Sequence, residues 1–144
     1  MKRNYSFELT KERDDKIKSE ICRRYDVSWI SIESKSRVRL VVDARRMYCG
    51  ILRNTFGITY TKIANILNKN HATILHNVNQ HDNFVKILKS YRLNFEEIEA
   101  ILIEDDNYYI HEIANIERKI DELYKKLDDL LEKKEQYKSK LINK

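Results

Sequence analysis

Residues 59–79, TYTKIANILNKNHATILHNVN, contain two short apolar patterns separated by a polar break. Apolar residues recur at helical spacing on both sides of the break, with Ile63, Ile66 and Leu67 before it and Ile74, Leu75 and Val78 after it. Thr59 or Thr61 can cap the first helix, and the Asn-Lys-Asn segment at 68–70 ends it. The pattern therefore predicts two short helices joined at a sharp corner, the second running from His71 to about position 79.

Two helical elements are predicted near the N-terminus. Apolar positions spaced by three or four residues predict a first helix over residues 9–25, with acidic side chains early and arginines late, as the helix dipole prefers. In the following segment, 26–32, Ser28 can cap a single turn that buries Trp29 and Ile32. The β-branched alternation of this segment also fits a strand, and the turn is the preferred interpretation.

A basic loop and a central helix are predicted next. Residues 34–39, Ser-Lys-Ser-Arg-Val-Arg, are polar and lack helical periodicity, which is typical of an exposed loop. Asp43 can cap a helix over residues 44–55, and Gly57 can end it with a positive φ. The side chains expected to be buried on this helix are Met47, Tyr48, Ile51, Leu52 and Phe56. A last helix, containing Phe84, Ile87, Leu88 and Tyr91, is expected to close the core.

The composition limits both the fold class and the chemistry. The chain has 144 residues, no proline and two glycines, which favours an all-α fold with short polar joints. Two cysteines without a CxxC pair, and histidines spaced by five at 71, 76 and 81, form no metal-ligand pattern, so we expect no metal and no cofactor. The charged N-terminus and the absence of a long apolar run predict a soluble, intracellular protein. The high content of Ile, Lys and Asn suggests a bacterium or phage with an AT-rich genome, so we expect the protein in the cytoplasm of a bacterium or a phage-infected cell, with a place in the virion left open.

Charge is distributed unevenly along the chain. Residues 1–92 contain 19 Lys and Arg against 9 Asp and Glu, whereas residues 93–144 contain 9 against 14. The window 34–81 holds eight Lys and Arg and a single acid, Asp43. A basic segment around a predicted helix-turn-helix indicates double-stranded DNA as the partner. We therefore expect a DNA-binding domain over residues 1–92 and a helix with a different task over residues 93–144.

The C-terminal third carries the clearest periodicity in the chain. Its apolar residues alternate at steps of three and four, which predicts a coiled coil and a homo-oligomer, with a dimer favoured. The predicted oligomerisation seam consists of Ile113, Ile116, Ile120, Leu123, Leu127, Leu130, Tyr137 and Leu141. Two alternatives stay open, namely that the helix folds back on residues 84–102 or that it binds another protein. The number and direction of the helices stay open too.

Three segments resemble one known family. Residues 34–39 resemble the basic loop of the C-terminal DNA-binding domain of the bacterial replication initiator DnaA, and residues 44–47, Ala-Arg-Arg-Met, resemble its Arg-Pro-Arg-Gln-Met helix start. Residues 69–76, Lys-Asn-His-Ala-Thr-Ile-Leu-His, resemble its signature Arg-Asp-His-Thr-Thr-Val-Leu-His. The resemblance covers about residues 17–92 and implies a small helical bundle similar to the Trp repressor.

The resemblance also implies roles for individual residues. By it, Arg39 enters the minor groove, and Asn70, His71 and Ala72 contact bases in the major groove, while Arg37 and Thr73 match positions near phosphates. With the neighbouring cations, the predicted DNA-binding set is Lys35, Arg37, Arg39, Arg45, Arg46, Lys69, Asn70, His71, Ala72 and Thr73. Because Asn70 and Ala72 stand where the family has Asp and Thr, we expect this chain to prefer a different DNA sequence.

Three classes of function fit these patterns. The preferred one is a non-enzymatic, sequence-preferring DNA-binding regulator of transcription or replication, or an architectural factor, that acts as an oligomer. The alternative is a phage or bacterial structural or assembly protein that tethers DNA and binds another protein through its coiled coil. An enzyme is least favoured, because the sequence lacks a GxxxxGK[ST] phosphate-binding loop. The acidic pairs Asp14-Asp15 and Asp105-Asp106 have no His or Lys cluster beside them, and no pair of metal-binding histidines accompanies Tyr60.

Overall fold

The regular structure in the computed structural model is helical throughout the residues it describes. These are the backbone of residues 8–143 and every side chain among them except those at positions 105, 106 and 108. The helices are α1 (Lys11–Tyr25), α2 (Trp29–Glu33), α3 (Arg39–Gly50), α4 (Tyr60–Leu67), α5 (His71–Ile87) and α6 (Lys89–Ile142), and a π-helical turn, Ile51–Thr55, directly follows α3. The predicted all-α fold is confirmed. Within these residues, no helix has the length and apolarity needed to cross a membrane.

The first of two compact units ends at Leu102 and is built around α3. Helix α3 packs against α1, α2 and α5, while α4 packs against α5. Of the side chains predicted to be buried on the central helix, Met47, Tyr48, Ile51 and Leu52 are buried and Phe56 is partly buried. The prediction of one closing helix with Phe84, Ile87, Leu88 and Tyr91 is wrong, because α5 ends at Ile87, which is exposed, and Tyr91 belongs to α6. The start of α6 closes this core with Tyr91, Ile98 and Leu102. Packing therefore continues to Leu102, whereas the division of function between residues 1–92 and 93–144 stays a prediction.

Side-chain caps define the starts of the first two helices. The Thr10 hydroxyl accepts a hydrogen bond from the backbone N–H of Arg13 at 3.2 Å, and Ser28 does the same for Ser31 at 3.1 Å. Residues 29–33 are helical, so the capped turn is confirmed and the strand interpretation is wrong. Trp29 is partly buried, and its ring meets that of Tyr48 edge to face with centroids 4.8 Å apart.

The start of α3 was predicted too late. The helix begins at Arg39 instead of Ala44, and its N-cap, Val38, makes no side-chain cap. Val41 is buried on the same helix face as later core residues, so packing stabilises the first turn without a polar cap. Asp43 is inside the helix, where its carboxylate pairs with Arg46 at 3.1 Å. The helix itself ends at Gly50, but the π-helical turn continues the helical path to Thr55, and Gly57 follows with the predicted positive φ, +66°.

The predicted end of α5 near residue 79 is also wrong. The helix continues to Ile87 because His81 extends the buried face that begins at Ile74 and Val78. His81 is 1% exposed, and its Nδ1 lies 2.5 Å from the Tyr91 hydroxyl. Leu75 was expected to be buried but is exposed, and the buried side chain beside it is that of Asn77.

The second unit begins at Ile103 and contains the remainder of α6. Every residue of the predicted seam lies in this helix, and their side chains are 45–72% exposed. The unit thus presents an exposed apolar stripe along α6.

Candidate nucleic-acid interface

Helices α4 and α5 form the predicted corner. Thr59 caps α4 by accepting from the backbone N–H of Lys62 at 3.2 Å. The helix ends at Asn68, whose positive φ of 53° turns the chain, and the backbone N–H of Lys69 then donates to the Ala64 carbonyl at 2.9 Å. Asn70 immediately caps α5. Two adjacent caps therefore make the turn short and fixed, as a helix-turn-helix requires.

The exposed tip of α5 consists of Asn70, His71 and Ala72. The Asn70 Oδ1 accepts hydrogen bonds from both the backbone N–H and the hydroxyl of Thr73, each at 2.8 Å. This oxygen is therefore occupied by the cap, while the Asn70 amide NH₂ remains available as a donor. A two-point contact with adenine needs both atoms, so this geometry favours a single donated bond from Asn70.

Aromatic packing supports the His71 ring at that tip. The ring lies edge to face with Tyr60, with centroids 5.4 Å apart, and the Arg53 guanidinium lies 4.5 Å from the Tyr60 ring centre on α4. Such contacts restrict the imidazole while leaving the residue exposed. Nothing in the sequence pattern identified this role for Tyr60, because residues 60 and 71 lie on different helices.

The basic loop and Arg39, which begins α3, present three cations. Lys35, Arg37 and Arg39 are exposed. The loop backbone is held by two serines, since the Ser34 hydroxyl accepts from the N–H of Ser36 at 3.1 Å and the Ser36 hydroxyl accepts from the N–H of Val38 at 3.3 Å. These serines therefore shape the loop.

Arg45, by contrast, lies behind this loop and is 7% exposed. Its guanidinium donates to four backbone oxygens, at 2.7 Å to Ile32, 2.9 Å to Ser34, 3.2 Å to Ser36 and 3.4 Å to Ser31. Burial lowers the pKa of Arg45 below its ordinary value. The side chain uses its donors to hold the loop, which does not favour the phosphate contact predicted for it.

Arg46 and Lys69 are also engaged within the protein. Arg46 pairs with Asp43 and stacks 4.4 Å from the ring centre of Phe84, with 11% of its side chain exposed. The Lys69 ammonium donates to the backbone oxygens of Ser34 at 2.9 Å and Glu33 at 3.4 Å. This last contact brings the basic loop beside the tip of α5. The structure thus places the exposed cations beside the base-contacting candidates. The other three cations, Arg45, Arg46 and Lys69, make contacts within the protein.

The groups considered for catalysis have structural contacts where they are described. Asp14, of the pair Asp14-Asp15, accepts from the Tyr48 hydroxyl at 2.8 Å and pairs with Lys18 at 3.0 Å. Tyr60 is packed against Arg53 and His71. The side chains of the pair at 105 and 106 lie outside the described residues.

Comparison with known proteins agrees with this geometry. Residues 15–80 match the family model described as the bacterial DnaA protein helix-turn-helix. This segment is similar to the DnaA helix-turn-helix. The chain is 33% identical over 89 residues to the chromosomal replication initiator protein DnaA of Bacteroides thetaiotaomicron and 32% identical over 89 residues to that of Bacteroides fragilis. The match to Pseudothermotoga lettingae DnaA is 32% identical over 65 residues.

The extent of these matches defines what they support. The two Bacteroides matches cover 61% of this chain but only 19% of each relative, and the third covers 45% and 15%. The chain therefore spans about a fifth or less of the length of these relatives. The predicted resemblance is confirmed, and the DnaA-type helix-turn-helix supports DNA binding by this segment.

Proposed function

We propose that this chain binds double-stranded DNA with a sequence preference, inserting the N-terminus of α5 into the major groove and the basic loop into the adjacent minor groove. The observation that carries the proposal is the contact between Lys69 and Ser34, which holds these two exposed elements side by side. A helix-turn-helix positions its second helix in this way, with residues at the N-terminus facing base edges.

Base contacts are assigned to the exposed tip of α5. His71 can donate to or accept from a base edge, the Ala72 methyl can touch a thymine methyl, and the Asn70 amide can donate to an acceptor such as a purine N7. The free backbone N–H groups of this first turn can bind a phosphate. Thr73 can donate to a phosphate only if it gives up a bond to Asn70, because its hydroxyl and its backbone N–H both donate to the Asn70 Oδ1.

Phosphate and minor-groove contacts are assigned to the exposed cations Lys35, Arg37 and Arg39. Each phosphate that the protein neutralises makes the slope of log K against log salt concentration more negative by about 0.9. Three cations therefore give a slope of about −3 for one DNA-binding unit. Arg45 and Arg46 are expected to act through the protein interior.

Self-association is assigned to the exposed seam of α6. Each Ile or Leu side chain that is fully buried in an assembly contributes about 1.5 to 3 kcal/mol, so the seam is long enough to hold a homo-oligomer together. Linking two DNA-binding units raises the overall affinity for paired sites by orders of magnitude. We therefore propose a non-enzymatic, cytoplasmic regulator or architectural factor that binds DNA as an oligomer.

Selection from random duplexes tests the sequence preference. Enrichment of one motif by the wild-type chain is expected, and loss of that enrichment in His71→Ala is expected as well. His76→Ala is the matched control, because His76 is exposed on the same helix but lies away from its N-terminal tip. Binding without any enriched motif would contradict a sequence preference and favour the alternative of an assembly protein that tethers DNA.

A further inference from the structure

Two cations converge on the backbone carbonyl groups at the end of α2. The Ser34 oxygen accepts from the Arg45 guanidinium at 2.9 Å and from the Lys69 ammonium at 2.9 Å, and the Glu33 oxygen is a second acceptor for Lys69 at 3.4 Å. Among the described residues, neither cation forms an ion pair with a carboxylate. Neutral carbonyls alone therefore hold both positive charges.

The backbone carbonyl groups at the end of α2 explain why Arg45 and Lys69 can lie close together despite their like charges. The last carbonyls of a helix lack partners within the helix and carry partial negative charge, which favours a cation. Lys69 is partly buried, and burial and the nearby charge of Arg45 lower its pKa. The ammonium has thus given up part of its hydration for a contact within the protein.

The backbone of Lys69 is held as firmly as its side chain. Its N–H donates to the Ala64 carbonyl of α4, and the next residue, Asn70, caps α5. Position 69 is therefore fixed to both helices of the corner, while its ammonium reaches the loop that carries Arg37 and leads into Arg39. A single side chain links the two surfaces assigned to the two grooves.

We propose that Lys69 is a positioning residue for sequence discrimination. It sets the distance between the basic loop and the α5 tip, so that both elements meet their grooves only on a duplex of suitable shape and sequence. It does this without a phosphate contact of its own. This inference rests on the proposed function.

Lys69→Met tests the inference, since methionine keeps an unbranched apolar side chain and removes the ammonium. The affinity for the preferred duplex is expected to fall about tenfold, the loss typical of a hydrogen bond to a charged group. The affinity for random duplexes is expected to change less than about twofold, and the salt slope is expected to stay as in the wild type. An equal loss of affinity on both duplexes, together with a salt slope that is shallower by about 0.9, would show that Lys69 contacts a phosphate and would overturn the inference.

Two further variants complete the test. Lys35→Met removes an exposed loop cation and is expected to show the opposite pattern, with similar losses on both duplexes and a smaller slope. Lys69→Arg retains donors for the same carbonyl groups and is expected to restore discrimination to within about twofold. Far-ultraviolet circular dichroism at the binding temperature checks that each variant is folded.

The outcomes separate this inference from the proposed function. If the wild-type chain itself shows no preference between the selected and random duplexes, the proposed function fails. If the wild type discriminates and folded Lys69→Met discriminates equally well, only the positioning role fails.

Discussion

Gly50 of α3 lies so close to the imidazole ring of His81 in α5 that a Cβ atom at position 50 would come within 3.0 Å of three ring atoms. His81 is itself enclosed by Tyr91 and Phe95, whose ring centroids lie 5.4 Å and 5.0 Å from its own. The crossing of α3 and α5, which holds α5 in place, therefore depends on the missing side chain at position 50.

Gly50→Ala is expected to destabilise the protein. Alanine favours a helix over glycine by about 0.5 to 1 kcal/mol, but overpacking of a core costs about 1 to 3 kcal/mol, so the clash should dominate. Urea denaturation should show a net loss of about 1 to 2 kcal/mol. The double variant Gly50→Ala/His81→Ala should lose less than the sum of the single variants, and strict additivity would argue against the contact.

Stability should fall on acidification because of His81. Burial, and to a lesser degree the charge of Arg46, lowers the pKa of His81 from 6.5 to about 4, against an opposing effect of Asp82. In the unfolded chain the imidazole of His81 is protonated near pH 6.5, whereas in the native state it stays neutral down to about pH 4. The free energy of unfolding should therefore fall by up to about 3 kcal/mol between pH 6.5 and pH 4. The measurement is the free energy of unfolding across this range, compared with His81→Leu/Tyr91→Phe, which removes the titrating ring and its hydroxyl partner. Parallel profiles for the two proteins would rule out this effect.

The two classes of cation should differ in their salt response. Arg37→Gln removes an exposed loop cation, so the slope of log K against log salt should become shallower by about 0.9. Arg46→Gln should leave the slope unchanged and instead lower the stability, because it breaks the Asp43 pair and the Phe84 contact. Fluorescence anisotropy titrations at several salt concentrations distinguish the two results, and a shallower slope for Arg46→Gln would place that side chain at the DNA.

Self-association should depend on the seam of α6. Leu127→Asp puts a charge at the middle of the stripe and should convert the assembly to monomers in analytical ultracentrifugation. Affinity for a duplex with two sites should fall at least about tenfold, while affinity for one site should be retained. Lys125→Asp, on an exposed position outside the seam, is the control. An oligomer that survives Leu127→Asp would show that another surface holds it together.

Local sequence patterns predicted several helix ends well. The capping residues Thr59 and Ser28 and the positive φ of Gly57 follow from chemistry within a few residues, and all three lie where they were expected. His81 was missed because histidine counts as polar, although it follows Ile74 by seven residues and Val78 by three and thus continues their helical face.

Whether a basic side chain is exposed or makes contacts within the protein was harder to predict than the presence of a basic segment. Arg45 follows Val41 by four residues and precedes Tyr48 by three, so helical spacing alone could have indicated its burial. No such signal exists for Lys69, since its acceptors Glu33 and Ser34 lie on a distant segment whose position only the tertiary fold determines.

Replacement of purines by 7-deazapurines within the selected duplex tests the major-groove contact of α5 most directly, because this change removes only the N7 acceptors that face that groove. The wild-type chain should bind the substituted duplex at least about fivefold more weakly at one or more positions, and His71→Ala should lose most of that difference. Equal binding of normal and substituted duplexes by the wild-type chain would contradict the placement of the α5 tip in the major groove.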